Sequence, residues 1–374
     1  MPVASPFEMR AGPLRLRRPT PDDLDAYVRL HTDPRTYSHA PQSMPDEAGC
    51  RDRLAADLED WRTLGFGYVA VEEIATGRVV GWGGVRQEQG RREALNLYYR
   101  FEHDALGRGY GRRLARAVTV AATEALPGRR VCAVIRPVNV ASQRTAVAAG
   151  LLEVGTVRHP HDRPDEPESL LFELPRVERV PGLDDDLRKR LLDLWQRVVN
   201  EGGGAVGFLP GVRREEIVPV LGAHERAMEA GTSMLAVLRA PGGDLLGFGW
   251  WQGSADLRFR HVAKLMRFQV DPAHQGRNLG AVLLAGMHAI ARDLPGVELL
   301  RLDYRSGVGL GAFYGQAGWV ETGRSSTGAT TTRSLADGRG RRPRRRADDA
   351  PGRRRLARRR RAALTRVGSD VGGL

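Results

Sequence analysis

The chain has 374 residues, 41% of them hydrophobic and 28% charged, which is enough for two domains with cores of their own. Two cysteines, Cys50 and Cys132, offer no disulfide framework, and no run of about eighteen apolar residues is there to span a membrane. The net charge of +13 would suit a nucleic-acid binder, but residues 324–374 alone hold sixteen arginines against four aspartates, so everything before them carries +1.

In chain order, residues 14–17 alternate as a short strand, and Thr20-Pro21-Asp22-Asp23 opens a helix with threonine at the cap and proline in the first turn. Helical patterns run to about Leu30 and again over 45–64, with a polar, irregular stretch between them at 36–44. Residues 67–71 and 79–85 read as a hairpin around Thr76-Gly77. An apolar strand at 94–99 leads to Leu106-Gly107-Arg108-Gly109-Tyr110-Gly111, followed by a helix over 112–126. A strand at 131–135, a helix after Asn139 and a hairpin closing at 170–174 complete this unit.

Residues 175–183 form a short linker with room for the next unit's first strand. Leu187, Leu191, Leu194 and Val198 mark an amphipathic helix over 184–200, broken by Gly202-Gly203-Gly204, and a second helix spans 214–230. A hairpin over 234–238 and 245–251 turns at Gly242-Gly243. The strand 265–270 then precedes Gln275-Gly276-Arg277-Asn278-Leu279-Gly280 and a helix over 281–294, with a strand at 299–303 and a helix around Tyr314.

The order strand, glycine-rich turn, helix thus occurs twice. Such a turn gathers backbone N–H groups at the positive end of a helix dipole, where a phosphate or pyrophosphate binds. A Walker loop would end in Gly-Lys-Ser/Thr, whereas Gly111 precedes Arg112-Arg113 and Gly280 precedes Ala281. A dinucleotide fingerprint would need a third glycine where Arg112 stands, and it would lie near the start of its unit.

Both turns resemble the pyrophosphate loop of the GNAT acyl-CoA-dependent N-acetyltransferases, Gln/Arg-x-x-Gly-x-Gly/Ala. The second copy matches at Gln275 and Gly280 and departs at Asn278, a residue type that tolerates a left-handed backbone. The first resembles the ribosomal-protein N-acetyltransferase branch, with Leu106 in place of the lead glutamine. Downstream, Asn139, Ser142 and Gly150 resemble the family's Asn-x-x-Ser…Gly segment, and Phe313-Tyr314 with Gly318-Trp319 resemble its Phe-Tyr-x-x-x-Gly-Phe segment.

The resemblance implies two tandem GNAT folds, at 1–174 and 175–323. Each is an α/β unit whose mixed, mostly antiparallel sheet is flanked by helices and split at the loop strand. It implies acetyl-CoA as cosubstrate, held at Leu106, Gly107, Arg108, Gly109, Tyr110, Gly111 and Asn139, and at Phe268, Val270, Gln275, Gly276, Arg277, Asn278, Leu279 and Gly280. The implied reaction is N-acetyltransfer to a primary amine of a small molecule or a protein N-terminus. The alternative is a decayed, acyl-CoA-binding regulatory protein.

That chemistry needs a polarised carbonyl, a base for the ammonium and an acid for the thiolate. Backbone N–H groups at 99–101 and 268–270 would serve the carbonyl. The resemblance makes Tyr314 the proton donor, against the reading of a core aromatic; in the first copy Ala146 stands there, and Ser142 could bridge a proton or simply belong to a helix start. Glu93, with Asn96 nearby, is the base candidate of the first copy. The second offers Lys264, which acts as a base only with a strongly depressed pKa, and Glu225, His224 and Asp303 as alternatives.

Tyr37 and His39 are acceptor-pocket candidates. His159-Pro160-His161-Asp162 reads as a solvated turn rather than a metal site, and no metal is expected.

The first six residues lack an export pattern, so a cytoplasmic protein is expected, with no membrane partner and no oligomeric state implied. Residues 324–374 are expected to be a disordered tail, and nucleic acid is expected only there. Lys189 and Lys264 are the only lysines in an arginine-rich chain, which points to GC-rich coding and raises a shifted reading frame as the tail's origin. In keeping with that, the family's last strand finds no alternating apolar run after Gly323.

Overall fold

The computed structural model describes residues 5–88, 91–158, 165, 167–202, 207–305, 307, 309–324 and 329–335. The cluster at 159–162 and the chain beyond 335 lie outside them. Met1–Gly338 form one compact unit, and within it the two expected sheets are present.

The first sheet has eight strands in the order β1-β2-β3-β4-β5-β6-β8-β7. They are β1 (Met9–Ala11), β2 (Leu14–Arg17), β3 (Tyr68–Glu73), β4 (Val79–Glu88), β5 (Arg91–Phe101), β6 (Arg130–Ile135), β7 (Leu152–Val157) and β8 (Ser169–Glu173). Helices α1 (Leu24–His31) and α2 (Glu47–Leu64) follow β2, α3 (Tyr110–Ala125) links β5 to β6, and α4 (Val140–Ala148) follows β6.

The second sheet has seven strands in the order β14-β15-β13-β12-β11-β10-β9. These are β9 (Arg176–Val180), β10 (Ser233–Arg239), β11 (Leu245–Gln252), β12 (Val262–Val270), β13 (Leu299–Arg305), β14 (Val320–Arg324) and β15 (Ala329–Leu335). Its helices are α5 (Asp185–Glu201), α6 (Arg214–Glu229), α7 (Leu279–Arg292) and α8 (Leu310–Gln316). The linker does supply the first strand of this sheet, since Val177 to Val180 pair with Leu238 to Leu235.

One expectation is corrected. The closing strand that seems missing after Gly323 by apolar alternation is present as β15, paired antiparallel to β13 from Leu299↔Leu335 to Arg305↔Ala329 and to β14 on its other side. The segment is Ala-Thr-Thr-Thr-Arg-Ser-Leu: three β-branched threonines favour extended backbone without the apolar pattern. The second sheet therefore reaches Leu335, and the stretch beginning at Arg324 is not all tail.

In each sheet a single pair is parallel, β5 with β6 and β12 with β13, and all others are antiparallel. A continuous buried cluster joins the two halves: Leu114, Ala115 and Val118 of α3 with Val282, Leu283 and Met287 of α7. Separate clusters lie under α1 and α2, around Leu54 and Trp82, and under α5 and α6, around Trp195 and Trp250. Within the described residues the two loop helices thus share one core, while α1 with α2 and α5 with α6 each cover a core of their own.

Candidate cofactor loops and acceptor face

The first loop leaves β5 through a single turn at His103–Ala105 and enters α3 with Gly107 at φ 78° and Gly109 at φ 72°. Gly109 is the N-cap, and the Arg113 N–H donates to its carbonyl at 3.1 Å. The N–H groups of Tyr110, Gly111 and Arg112 precede that bond and face the loop mouth. Glu73 on β3 braces this turn: it accepts from the Tyr110 hydroxyl at 2.5 Å, the Thr76 hydroxyl at 2.9 Å and the Arg108 guanidinium at 3.0 Å, and these donors, Tyr110 foremost, hold its carboxyl below the usual range.

The second loop repeats the geometry. Gly276 has φ 74°, and Asn278 is the N-cap of α7 at φ 70°, within 2° of Gly109. Asparagine takes the left-handed turn as its residue type allows. Gln275, the residue Leu106 replaces in the first copy, ties its loop back to the strand by donating to the Val270 carbonyl at 3.0 Å.

Each loop stands at the mouth of a split. β5 pairs with β6 only from Ala94↔Arg130 to Asn96↔Cys132, and β12 with β13 only from Val262↔Leu299 to Lys264↔Arg301. Beyond Asn96 and Lys264 the strands part, so alternate backbone groups of 97–101 and 265–270 face an open gap instead of a neighbouring strand. Phe268 and Val270 lie on that diverging stretch. β12 also bulges against β11, where Arg267 takes φ 52°.

On the helix side of the first gap, the Tyr99 hydroxyl lies 2.9 Å from both the Ser142 hydroxyl and its carbonyl oxygen. Burial pushes the Tyr99 phenol up to about 12. Asn139 caps α4 by accepting from the Ser142 N–H at 3.1 Å. In the second gap Tyr314 on α8 is 6% exposed, with ring centroids 5.0 Å from Phe313, 5.6 Å from Tyr304 and 6.4 Å from Phe268; burial pushes its phenol up. Phe268 and Tyr99 hold corresponding strand positions, as do Tyr314 and Ala146 on the helices.

The opposite face of β5 carries Asn96, Tyr98 and Arg100, alternating toward α1 and α2. The Tyr98 hydroxyl sits between His31 Nε2 at 3.2 Å and Arg100 Nε at 2.8 Å, and Asn96 donates to the Tyr68 hydroxyl at 2.7 Å. Arg100 also stacks on Tyr37, 3.5 Å from the ring centroid, and donates to the Thr36 carbonyl, which pins the irregular segment to the strand. Deeper in this face, Asp57 of α2 is 1% exposed. Its carboxylate accepts from the Trp82 indole at 2.9 Å with Arg86 at 3.5 Å, and burial raises its pKa to about 7. Burial also drives His31 down to about 3.

The structure does not bring every candidate together. Glu93 is exposed at the closed end of the split, 3.9 Å from Arg130, away from the gap. His39 is exposed, while Tyr37 is buried under Arg100. In the second half Lys264 pairs with Asp303 at 2.8 Å and Glu225 with Arg188 at 2.6 Å. His224 stacks on Trp250 at 4.6 Å and is pushed down to about 4 by burial. Asp57, Tyr98 and the Tyr99 side chain escaped the sequence reading, which used Tyr99 only for its backbone N–H. Asp57 sits mid-helix, 25 residues from the indole it meets, and nothing local marks it. Tyr99 had a local signal, its place on the strand entering the loop.

Residues 13–151 match the family model described as an acetyltransferase (GNAT) domain. No curated protein matches the chain. Among solved structures it is similar to a GNAT-family acetyltransferase from Bacillus anthracis, at 17% identity over 44% of this chain and 96% of that one, with a TM-score of 0.38. It is similar to a ribosomal-protein-alanine acetyltransferase from Vibrio fischeri at 16% identity, 43% and 92% coverage and a TM-score of 0.36. It is also similar to a ribosomal-protein α-N-acetyltransferase in complex with coenzyme A, at 14% identity, 43% and 92% coverage and a TM-score of 0.38. Residues 13–151 of this chain are a GNAT acetyltransferase domain.

Proposed function

We propose that the first half binds acetyl-CoA and transfers its acetyl group to a primary amine. The supporting observation is the coincidence of a left-handed glycine turn with the mouth of a split parallel strand pair. In this reading the N–H groups of 110–112 take the pyrophosphate, and the pantetheine arm lies in the gap between β5 and β6. A backbone N–H of the diverging strand polarises the acetyl carbonyl. The amine enters from the face carrying Tyr98 and Arg100. Asp57, whose pKa of about 7 lets it hold or release a proton near neutrality, is the candidate base. As the amine nitrogen bonds to the acetyl carbon, the carbon–sulfur bond breaks and the thiolate takes a proton, for which Tyr99 is the candidate source; the nitrogen sheds its surplus proton to solvent, from which Tyr99 is reprotonated.

For the second half the alternative reading, a cofactor-binding module without catalysis, is favoured by the ion pair that occupies Lys264 and Asp303 and by the low pKa of His224. The acceptor is a small-molecule amine or a protein N-terminus. Free-thiol release from acetyl-CoA, measured with the whole chain against polyamines, aminoglycosides and peptides with free N-termini, tests the proposal. Thiol release with none of them, alongside measurable CoA binding, would leave the binding module as the reading for both halves.

A further inference from the structure

The second loop touches the first half of the molecule. The two N–H groups of the Asn278 side-chain amide are shared among three acceptors there: the Arg116 carbonyl at 3.2 Å, the Thr119 hydroxyl at 3.1 Å and the Ala149 carbonyl at 3.2 Å. Arg116 donates back to the Gly276 carbonyl at 3.5 Å. The α-carbon of Gly150 faces the loop so closely that a Cβ there would lie 3.1 Å from the Arg277 carbonyl oxygen. At the far end of the same helix pair, Glu124 of α3 pairs with Arg292 of α7 and lies 3.9 Å from His288. Thr119 and Ala149 are fully buried and Asn278 is 7% exposed, so these bonds are shielded from water.

We infer that Asn278 is a positioning residue, a latch by which the first domain sets the shape of the second domain's phosphate loop. Glycine would hold the left-handed turn at no steric cost, and asparagine at this place gives up that ease. What it gains is an amide whose donors are spent on Arg116, Thr119 and Ala149 of the other domain. Arg277, at the exposed corner of the loop, is flanked by Gly276 and Asn278, both engaged with the first domain. The N–H groups of 279–281, ahead of the first helical bond from Val282 to Asn278, are therefore aimed by contacts outside their own domain. Where the loop serves as a cofactor site, which rests on the proposed function, that site is composite.

The test uses the full chain and two substitutions. Asn278→Gly keeps the turn and removes the amide. Asn278→Asp keeps the tolerance for the turn and sets a carboxylate against two carbonyl oxygens. Amide hydrogen exchange is followed in the second-loop peptide 276–282 and in the first-domain peptide 146–151, without ligand and with CoA. We expect exchange to rise about tenfold or more in both peptides for Asn278→Asp, with a smaller rise for Asn278→Gly. CoA is expected to protect 276–282 in the parent chain and much less in Asn278→Asp, while protection at 107–113 is kept. Unchanged exchange at 146–151 in both variants would overturn the latch. Absence of CoA protection at 276–282 in the parent chain would instead count against the second loop as a cofactor site, with the latch still judged by 146–151.

Discussion

The Tyr99 phenol and the Ser142 hydroxyl meet at 2.9 Å, which bridges the diverging strand of the first split to the helix that follows it. In the second split the corresponding strand residue is Phe268, and the phenol is carried by the helix, at Tyr314. The first gap thus carries its strand-borne phenol on β5, at Tyr99, and the second carries a helix-borne one, at Tyr314. Tyr99→Phe should lower turnover by about ten- to a thousand-fold, the usual worth of a positioned acid, with little change in the Michaelis constant for acetyl-CoA. Steady-state kinetics on the full chain decides this; unaltered turnover would reduce Tyr99 to a brace for α4.

Tyr314→Phe asks the same of the second gap. If that half only binds cofactor, turnover of the full chain should be unmoved and CoA stoichiometry unchanged. A tenfold or larger loss would return Tyr314 to the role of proton donor and make the second half an enzyme as well.

Gly109→Asp should remove CoA from the first loop. A Cβ at Gly109 meets nothing within 4 Å, and aspartate tolerates a left-handed turn, so the fold should survive. Its carboxylate would lie where the pyrophosphate is proposed to bind, and like-charge contact should weaken affinity by about a hundredfold or more. Calorimetric titration with CoA measures the effect. Unchanged affinity, with both sites filled, would mean that the loop holds no phosphate.

Asp57 also makes a statement about stability. Its folded pKa of about 7 lies above the ordinary aspartate value of 3.8. Between those values the unfolded chain is ionised while the folded one keeps the proton, so this group makes stability fall as pH rises from about 4 to 7. His31 and His224 work in the opposite sense. Their folded pKa values of about 3 and about 4 lie below 6.5, so they cost stability as pH falls through that window. Asp57→Asn should gain on the parent chain as pH rises toward 7, by on the order of a few kcal/mol at most, because the amide still accepts from Trp82. Melting temperatures of both chains from pH 4 to 8 check this. A constant difference would place the Asp57 pKa near its ordinary value.

The parts legible in the sequence were those written in local backbone chemistry. Gly107, Gly109 and Gly276 announce positive φ, and Asn278 could be trusted to follow because its side chain tolerates that turn. The strand–turn–helix order fixed which element carries each loop. The face proposed for the acceptor is different in kind. Asp57, Trp82, His31 and Tyr98 meet across α1, α2, β4 and β5, at separations that no motif encodes. Glu93 misled because nearness in sequence to the loop strand says nothing about which end of the split a residue occupies; the parallel register of Ala94 with Arg130 puts it at the closed end. Asn278 misled more gently. It reads as a tolerated departure from glycine, and only the packing of α3 on α7 gives it acceptors.

The C-terminal strand gives the last prediction. β15 lies between β13 and β14, pairing with both, so among the described residues β14 has no other neighbour in its sheet. A chain ending at Gly338 keeps every strand among the described residues and should melt and bind CoA as the full chain does, even though fourteen of the sixteen arginines counted from Arg324 onward are gone. A chain ending at Gly323 loses β15, strands β14 and opens the edge of β13, which supports the helix carrying Tyr314. It should melt several degrees lower and aggregate more readily, with faster amide exchange over 299–305 and little change over 94–101. If the chain ending at Gly323 were as stable as the one ending at Gly338, β15 would contribute nothing to the sheet, and the reading of everything after Gly323 as tail would stand.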